Sequence, residues 1–166
     1  MMSVLADLEQ TALSVWMRES TSVLAFPFIL YLHTLGLALL AGLSVGLDCW
    51  LLGRRAVPSI RLENVYRIMW LGFGINLVSG LMLLAAYPAK ALTNWVFFVK
   101  MGLVVLAMWV LERLKGELAV ASGHTREIST PARAFAMLSL LVWAATILAG
   151  RYLAYTHHIL LASEAL

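Results

Sequence analysis

The chain has 166 residues, of which 62% are hydrophobic and 13% are charged, and its mean hydropathy is +0.88. Soluble domains contain about 45–50% apolar and about 25% charged residues, so this composition excludes an ordinary soluble domain and favours a multi-pass helical membrane protein. The net charge is +3. Because the basic residues lie between apolar runs and form no stripe, no nucleic-acid partner is expected. The single cysteine, Cys49, excludes an internal disulfide and a multi-cysteine metal site.

The chain order predicts an interfacial helix followed by four spans. Residues 3–19 are too polar to span and are predicted to form an amphipathic helix in the membrane interface, with apolar residues at helical spacing: Leu5, Leu8, Ala12 and Trp16. Four apolar runs follow, and each is long enough to cross a bilayer, which takes about 20 residues. The predicted spans cover residues 23–52, 66–87, 94–111 and 132–156. Short connections favour an all-α, up-down-up-down four-helix transmembrane bundle, with residues 1–166 as a single domain.

Loop charge predicts the orientation. The first and third loops contain four basic residues each: Arg54, Arg55, Arg61 and Arg67, then Arg113, Lys115, Arg126 and Arg133. The second loop has only Lys90, and the N-terminal segment has only Arg18. By the positive-inside rule the first and third loops are cytoplasmic, so both termini are expected in the periplasm if the membrane is a bacterial inner membrane.

Five polar residues lie inside the predicted spans: His33, Asp48, Asn76, Lys100 and Arg151. A rise of about 1.5 Å per residue places His33, Lys100 and Arg151 in one layer of the outer half. That layer has two cations and no intramembrane carboxylate. The cations therefore snorkel to the interface, pair with an acid of the N-terminal segment, or bind an external anion. Asp48, near the cytoplasmic side, is expected to pair with Arg54 or Arg55.

Three hypotheses apply to His33. It can be a structural histidine, hydrogen-bonded to Asn76, Tyr31 or a carbonyl. It can be an axial ligand of haem b, with Lys100 and Arg151 neutralising the propionates and with Asn76 and Tyr155 supplying further hydrogen bonds. The second axial ligand would be His158, although it lies roughly 10 Å higher. Copper(I) is the third hypothesis, bound by His33 with Met82 or Met101, or by the adjacent pair His157-His158.

Small residues suggest where helices pack. Gly42 and Gly46 form a GxxxG pair opposite His33, which predicts helix packing within the bundle or across a homodimer. A small and polar stripe on the second span predicts an inward face shared with Asn76: Met69, Gly72, Ser79, Gly80 and Tyr87.

Three runs of the sequence are similar to a known protein family: LHTLGLALLAGLSVGLD (residues 32–48), WVFFVKM (95–101) and AGRYLAY (149–155). They resemble an uncharacterised family of small four-span bacterial inner-membrane proteins, and the family's pattern carries over to His33, Gly36, Asp48, Lys100, Gly150 and Arg151. More distantly, the layout is similar to copper-resistance membrane proteins and four-helix b-type cytochromes. This similarity implies redox or copper handling. The chain departs from the di-haem cytochromes because it lacks two facing histidine pairs at matching depths.

The sequence therefore predicts a membrane protein that binds haem b, or a related redox cofactor, in its outer half. Its role would be electron transfer with the quinone pool or a periplasmic partner. The alternatives are a copper or small-anion transport or tolerance protein, and a non-catalytic anchor subunit of a larger complex. Hydrolytic chemistry is not expected, since the chain contains neither GxSxG nor HExxH.

Overall fold

The computed structural model describes residues 2–54, 56, 61–124, 127–156 and 161, with backbone only at residues 122–124. The helices in this part of the chain are α1 (Met2–Glu9), α2 (Ala12–Glu19), α3 (Phe26–Leu37), a π-helical segment (Ala38–Gly42), α4 (Leu43–Gly53), α5 (Leu62–Ala86), α6 (Pro88–Leu92), α7 (Trp95–His124) and α8 (Thr130–Tyr155).

Four helices are long and apolar enough to cross a membrane. They are Phe26–Gly53, Leu62–Ala86, Trp95–Ala121 and Thr130–Tyr155, with 28, 25, 27 and 26 residues. Only 17% to 33% of the most apolar stretch of each helix is buried in the bundle. Such extensive exposed apolar surface is excessive for a soluble monomer and compatible with lipid contact. The predicted four-helix bundle is confirmed, and its helices have the character of a multi-pass membrane protein.

Helix boundaries follow local chemistry. Tyr87-Pro88 ends α5, because the proline at the start of α6 cannot continue the preceding helix. Ser129 caps α8 by accepting a hydrogen bond from the Ala132 amide at 3.2 Å. Helix α7 extends well beyond the predicted residue 111, since Leu114 and Leu118 keep one face buried through the charged stretch.

The helices pack as two pairs. Helix α3 and the π segment pack against α5, and α7 packs against α8, while α4 joins the pairs mainly through its contact with α8. The first span thus faces α5 with its first half and α8 with its second half. The π segment lies between these halves, where its wider turn changes the face that the helix presents.

Backbones of α3 and α5 approach closely at Gly36 and Gly72. A Cβ on Gly36 would lie 2.6 Å from the Asn76 amide nitrogen and 2.7 Å from the Gly72 carbonyl oxygen. A Cβ on Gly72 would lie 2.9 Å from the Gly36 carbonyl oxygen. Both positions therefore require glycine, and the predicted inward stripe of α5 is confirmed at Met69, Gly72 and Ser79, which are buried.

The N-terminal segment, predicted as one helix, forms α1 and α2. Thr11 separates them because its extended backbone and its side chain, which accepts from the Ser14 amide at 3.4 Å, begin a new helix. The guanidinium of Arg18 donates to the Ala86 carbonyl at 3.0 Å and to the Glu9 carbonyl at 2.7 Å. This contact fastens both short helices to the end of α5.

The first and third loops lie at the same end of the bundle. The Arg133 guanidinium donates to the Arg54 carbonyl at 3.0 Å, and Ala56 forms an antiparallel bridge with Glu127. At the opposite end, Lys90 and Asn94 donate to carbonyl oxygens at the end of α8. The half of the bundle nearer Arg54 and Arg133 is called the inner half below, and the other half is the outer half.

Candidate functional site: polar groups between two helix pairs

His33 and Asn76 join α3 to α5 through two hydrogen bonds. The Asn76 side-chain amide donates to the His33 carbonyl at 2.7 Å, and the His33 Nδ1 lies 3.0 Å from the Asn76 carbonyl oxygen. The Ser79 hydroxyl lies 3.2 Å from the same Nδ1. These bonds depend on the close approach at Gly36, one turn further along α3. The predicted hydrogen bond between His33 and Asn76 is confirmed, and its acceptor is the Asn76 backbone carbonyl.

The protonated nitrogen of His33 follows from its partner. A carbonyl oxygen can only accept, so Nδ1 carries the proton and donates to Asn76. In the neutral ring the lone pair is then on Nε2, which makes no hydrogen bond within the described residues. Histidines that ligate metals commonly donate their other ring nitrogen to a backbone carbonyl, which orients the ring. His33 therefore has the hydrogen bonding of an oriented Nε2 ligand.

Lys100 supplies a cation from the other helix pair. It is half-buried on α7, it interacts electrostatically with the His33 ring, and its Cε and Nζ would lie 3.7 and 3.9 Å from a Cβ on Gly150 of α8. No carboxylate forms an ion pair with it in the described part of the chain. His33, Asn76, Ser79 and Lys100 form what we call the outer-half polar site; the first three belong to the α3/α5 pair and Lys100 belongs to the α7/α8 pair.

Glycines leave room around this site. A Cβ on Gly80 would lie 3.1 Å from His33 Cε1, which is tighter than ordinary contact, so glycine at this position accommodates the imidazole ring. The equivalent contact between Gly150 and Lys100 is looser. Extensive packing between the two helix pairs is concentrated in α4 and α8. The outer-half polar site is therefore the less tightly packed part of the bundle interior.

Other predicted site residues lie apart from this site. Arg151 is exposed and has no ion pair with a described carboxylate. Its place near the end of α8 suits a guanidinium that snorkels to the interface. Tyr155 is 77% exposed, so its predicted hydrogen bond to the site is not observed. His158, the predicted second ligand, lies outside the described residues, as does His157.

The donors expected for copper are dispersed. Met82 packs beside the cluster of Met17, Ile29 and Ala86, and Met101 is 38% exposed. Among the described residues, no group of three or more His, Cys, Asp or Glu side chains could hold a metal ion. Copper binding by His33 and a methionine stays a prediction.

Gly42 and Gly46 do not pack inside the bundle. Both are exposed, and a Cβ at either position would have no atom within 4 Å. The expectation of packing within the bundle is therefore wrong, because the glycines that permit close helix packing are Gly36 and Gly72. The other expectation, a homodimer through Gly42 and Gly46, stays a prediction.

Asp48 is not paired with Arg54. The carboxylate is fully buried, and in the described part of the structure neither oxygen has a hydrogen-bond partner. Arg54 is exposed, and its carbonyl instead accepts from Arg133. Arg55 lies outside the described residues. The expected surface pairing is wrong because α4 turns Asp48 towards α8, so that the carboxyl group lies near the hydroxyls of Ser44, one turn earlier on α4, and Ser139 on α8.

The fold and the outer-half polar site define the class: a four-helix bundle with a hydrogen-bonded histidine on one helix pair and a half-buried lysine on the other. No protein-family model matches the chain, no curated protein is significantly similar to it, and no solved structure matches it. The resemblance to small four-span bacterial inner-membrane proteins stays a prediction.

Proposed function

We propose that this protein binds haem b in the outer half of its bundle and transfers electrons between the quinone pool, or a periplasmic partner, and the haem. The protein would be placed in a bacterial inner membrane with both termini in the periplasm, as the basic residues of the first and third loops indicate. The observation that carries this proposal is the ring of His33, whose Nδ1 is fixed on the Asn76 carbonyl while Nε2 has no described partner.

The residues of the outer-half polar site fit a haem with one protein ligand. His33 would ligate the iron through Nε2, in the orientation that the Asn76 carbonyl imposes. Lys100 has no described carboxylate partner, and a cation in the membrane interior requires an anion. A propionate supplies such an anion, so Lys100 would bind one propionate. Arg151, near the outer end of α8, would bind the other from the interface.

The haem iron, when bound, takes up and releases one electron. The chain's own contribution is to hold the ring of His33, to neutralise the propionates and to exclude water with the apolar surfaces of α3, α5, α7 and α8. His158 or an external molecule would supply any second ligand. The proposal therefore requires only one histidine of the described residues.

Titration of haem into the purified full chain tests the ligand. The wild-type protein is expected to develop a Soret band that saturates near one haem per chain, and His33→Ala is expected to lose it. Thr34→Ala is the matched control, because Thr34 is the next residue of α3, is exposed, and bonds only to the Leu30 carbonyl of its own helix. Equal haem binding by His33→Ala and wild type contradicts the assignment of His33.

Experiments on cells and on the purified protein separate the alternatives. A copper or small-anion protein would bind no haem, yet its deletion would change copper or anion tolerance and His33→Ala would reproduce that change. A non-catalytic anchor subunit would co-purify with a partner, and both His33→Ala and Lys100→Ala would be silent. Either pattern would replace the haem proposal.

A further inference from the structure

A second polar cluster lies in the inner half, where α4 meets α5 and α8. It consists of Asp48, Ser44, Tyr66 and Ser139, which are at most 3% exposed. The Ser44 and Ser139 hydroxyls lie 3.3 Å apart, and the Trp143 indole nitrogen donates to the Ser44 hydroxyl at 3.0 Å. The serines and the tryptophan thus have partners within the cluster.

The remaining polar atoms of the cluster have no hydrogen-bond partner among the described residues. Both carboxylate oxygens of Asp48 and the hydroxyl of Tyr66 are buried without a hydrogen-bond partner among the described residues. No basic side chain described here forms an ion pair with Asp48. An ionised carboxylate buried without a partner costs far more free energy than a neutral acid, and this difference grows in the interior of a membrane. The observed burial therefore requires either a bound cation or a neutral carboxyl group.

We propose that Asp48 is a proton-binding site, which is occupied in this structure and is filled from the inner end of the bundle through Tyr66. A proton is the smallest ligand that removes the charge, and it needs no coordination shell of oxygen atoms. Protonation forms one O–H bond at a carboxylate oxygen and breaks one O–H bond of the donor. The site is separate from the outer-half polar site and does not depend on haem binding.

The groups that surround Asp48 define the route. Helix α8 presents Ser139 and Trp143, which are not ionisable at physiological pH, and the π segment contains only Ala, Leu and Gly. Helix α5 presents Tyr66, which interacts electrostatically with both Asp48 and Glu112 of α7. Tyr66 is therefore the polar group between the buried acid and the charged side chains of α7 in the inner half.

Two partly exposed charged side chains of α7 lie beside the ring of the buried Tyr66. The Lys115 ammonium lies 5.5 Å from the centre of the Tyr66 ring, and Lys115 pairs with Glu112 at 3.8 Å, with both side chains 46% exposed. In one transfer, the Tyr66 hydroxyl gives its proton to the Asp48 carboxylate and takes another from a hydronium ion of the solvent at the inner surface, which becomes water. The net movement is one proton from the inner surface to Asp48.

Infrared difference spectroscopy of the full chain in lipid vesicles tests the site. Near neutral pH the wild-type protein is expected to show the C=O stretch of a protonated carboxylic acid, and Asp48→Asn is expected to lose it. Glu63→Gln is the matched control, because Glu63 is an exposed acid at the same end of the bundle. A band that persists in Asp48→Asn, or its absence from the wild type, overturns the proposal. A carboxylate signal that responds to replacement of sodium ions by choline would also overturn it and would indicate a metal cation instead.

A second variant tests the route and does not depend on the stability of Asp48→Asn. Tyr66→Phe keeps the ring in the core and removes only the unpartnered hydroxyl. It is expected to retain the band but to slow its shift after transfer into D₂O. Exchange as fast as that of the wild type overturns the route through Tyr66.

Discussion

Replacement of Gly36 by alanine should loosen the contact between α3 and α5. The new Cβ would lie 2.6 Å from the Asn76 amide nitrogen, whereas ordinary contact begins near 3.4 Å, so the backbones must part by 0.8 Å, the difference between these distances. The atoms that it meets are backbone atoms, which cannot move away as a flexible side chain does. Overpacking of this kind costs about 1–3 kcal/mol. Weakening the two His33–Asn76 hydrogen bonds adds roughly 0.5–1.5 kcal/mol for each bond.

The expected loss is therefore about 2–6 kcal/mol in the free energy of unfolding. It is measurable by reversible denaturation of the full chain in mixed micelles. Gly42→Ala is the matched control: it is six residues away on the same span, and its Cβ would have no atom within 4 Å. That change should be neutral or stabilising by about 0.4–1 kcal/mol, since alanine restricts the unfolded chain. Equal free energies of unfolding for Gly36→Ala and Gly42→Ala would refute the close approach of the two backbones.

Two further changes test the N-terminal contact and the cation of the outer-half polar site. Arg18→Ala removes the hydrogen bonds to the Ala86 and Glu9 carbonyls, and it should weaken attachment of α1 and α2 by about 2–4 kcal/mol. Limited proteolysis between α2 and α3 should then be faster than in the wild type, while Arg61→Ala, an exposed control, should leave the rate unchanged. Lys100→Met removes the cation and keeps the length of the side chain, so it should weaken haem binding by about 10–100-fold, as expected for one charge-assisted hydrogen bond. Haem affinity equal to that of the wild type would show that Lys100 does not bind a propionate.

The spans could be predicted from the sequence because their information is local. Apolar runs, proline at residue 88 and basic loops determine where helices lie and how they alternate, and the structure places them accordingly. The inward stripe of α5 could also be predicted, since Gly72, Asn76 and Ser79 recur at helical spacing. The glycines that allow close helix packing could not be identified from their spacing. Gly42 and Gly46 have the familiar spacing, but the contact uses Gly36 and Gly72 on different helices.

The polar sites depend on long-range geometry that spacing along one helix does not contain. A uniform helical turn places His33, Ser44 and Asp48 on a single face, whereas the π segment between them directs His33 towards α5 and Asp48 towards α8. The segment consists of Ala, Leu and Gly, which carry no signature of a π turn. The pairing of Asp48 with Arg54 was consequently mispredicted. Similarly, depth along the axis placed Arg151 beside Lys100, but depth alone does not determine the direction of a side chain.

The absorption spectrum of the purified full chain is the most direct test of whether the protein binds a haem at His33. The protein would be produced in cells supplied with a haem precursor and measured before and after reduction. We expect a Soret band in both oxidation states and a shift of this band on reduction, with about one haem per chain. A spectrum with no Soret band in either oxidation state would contradict this expectation.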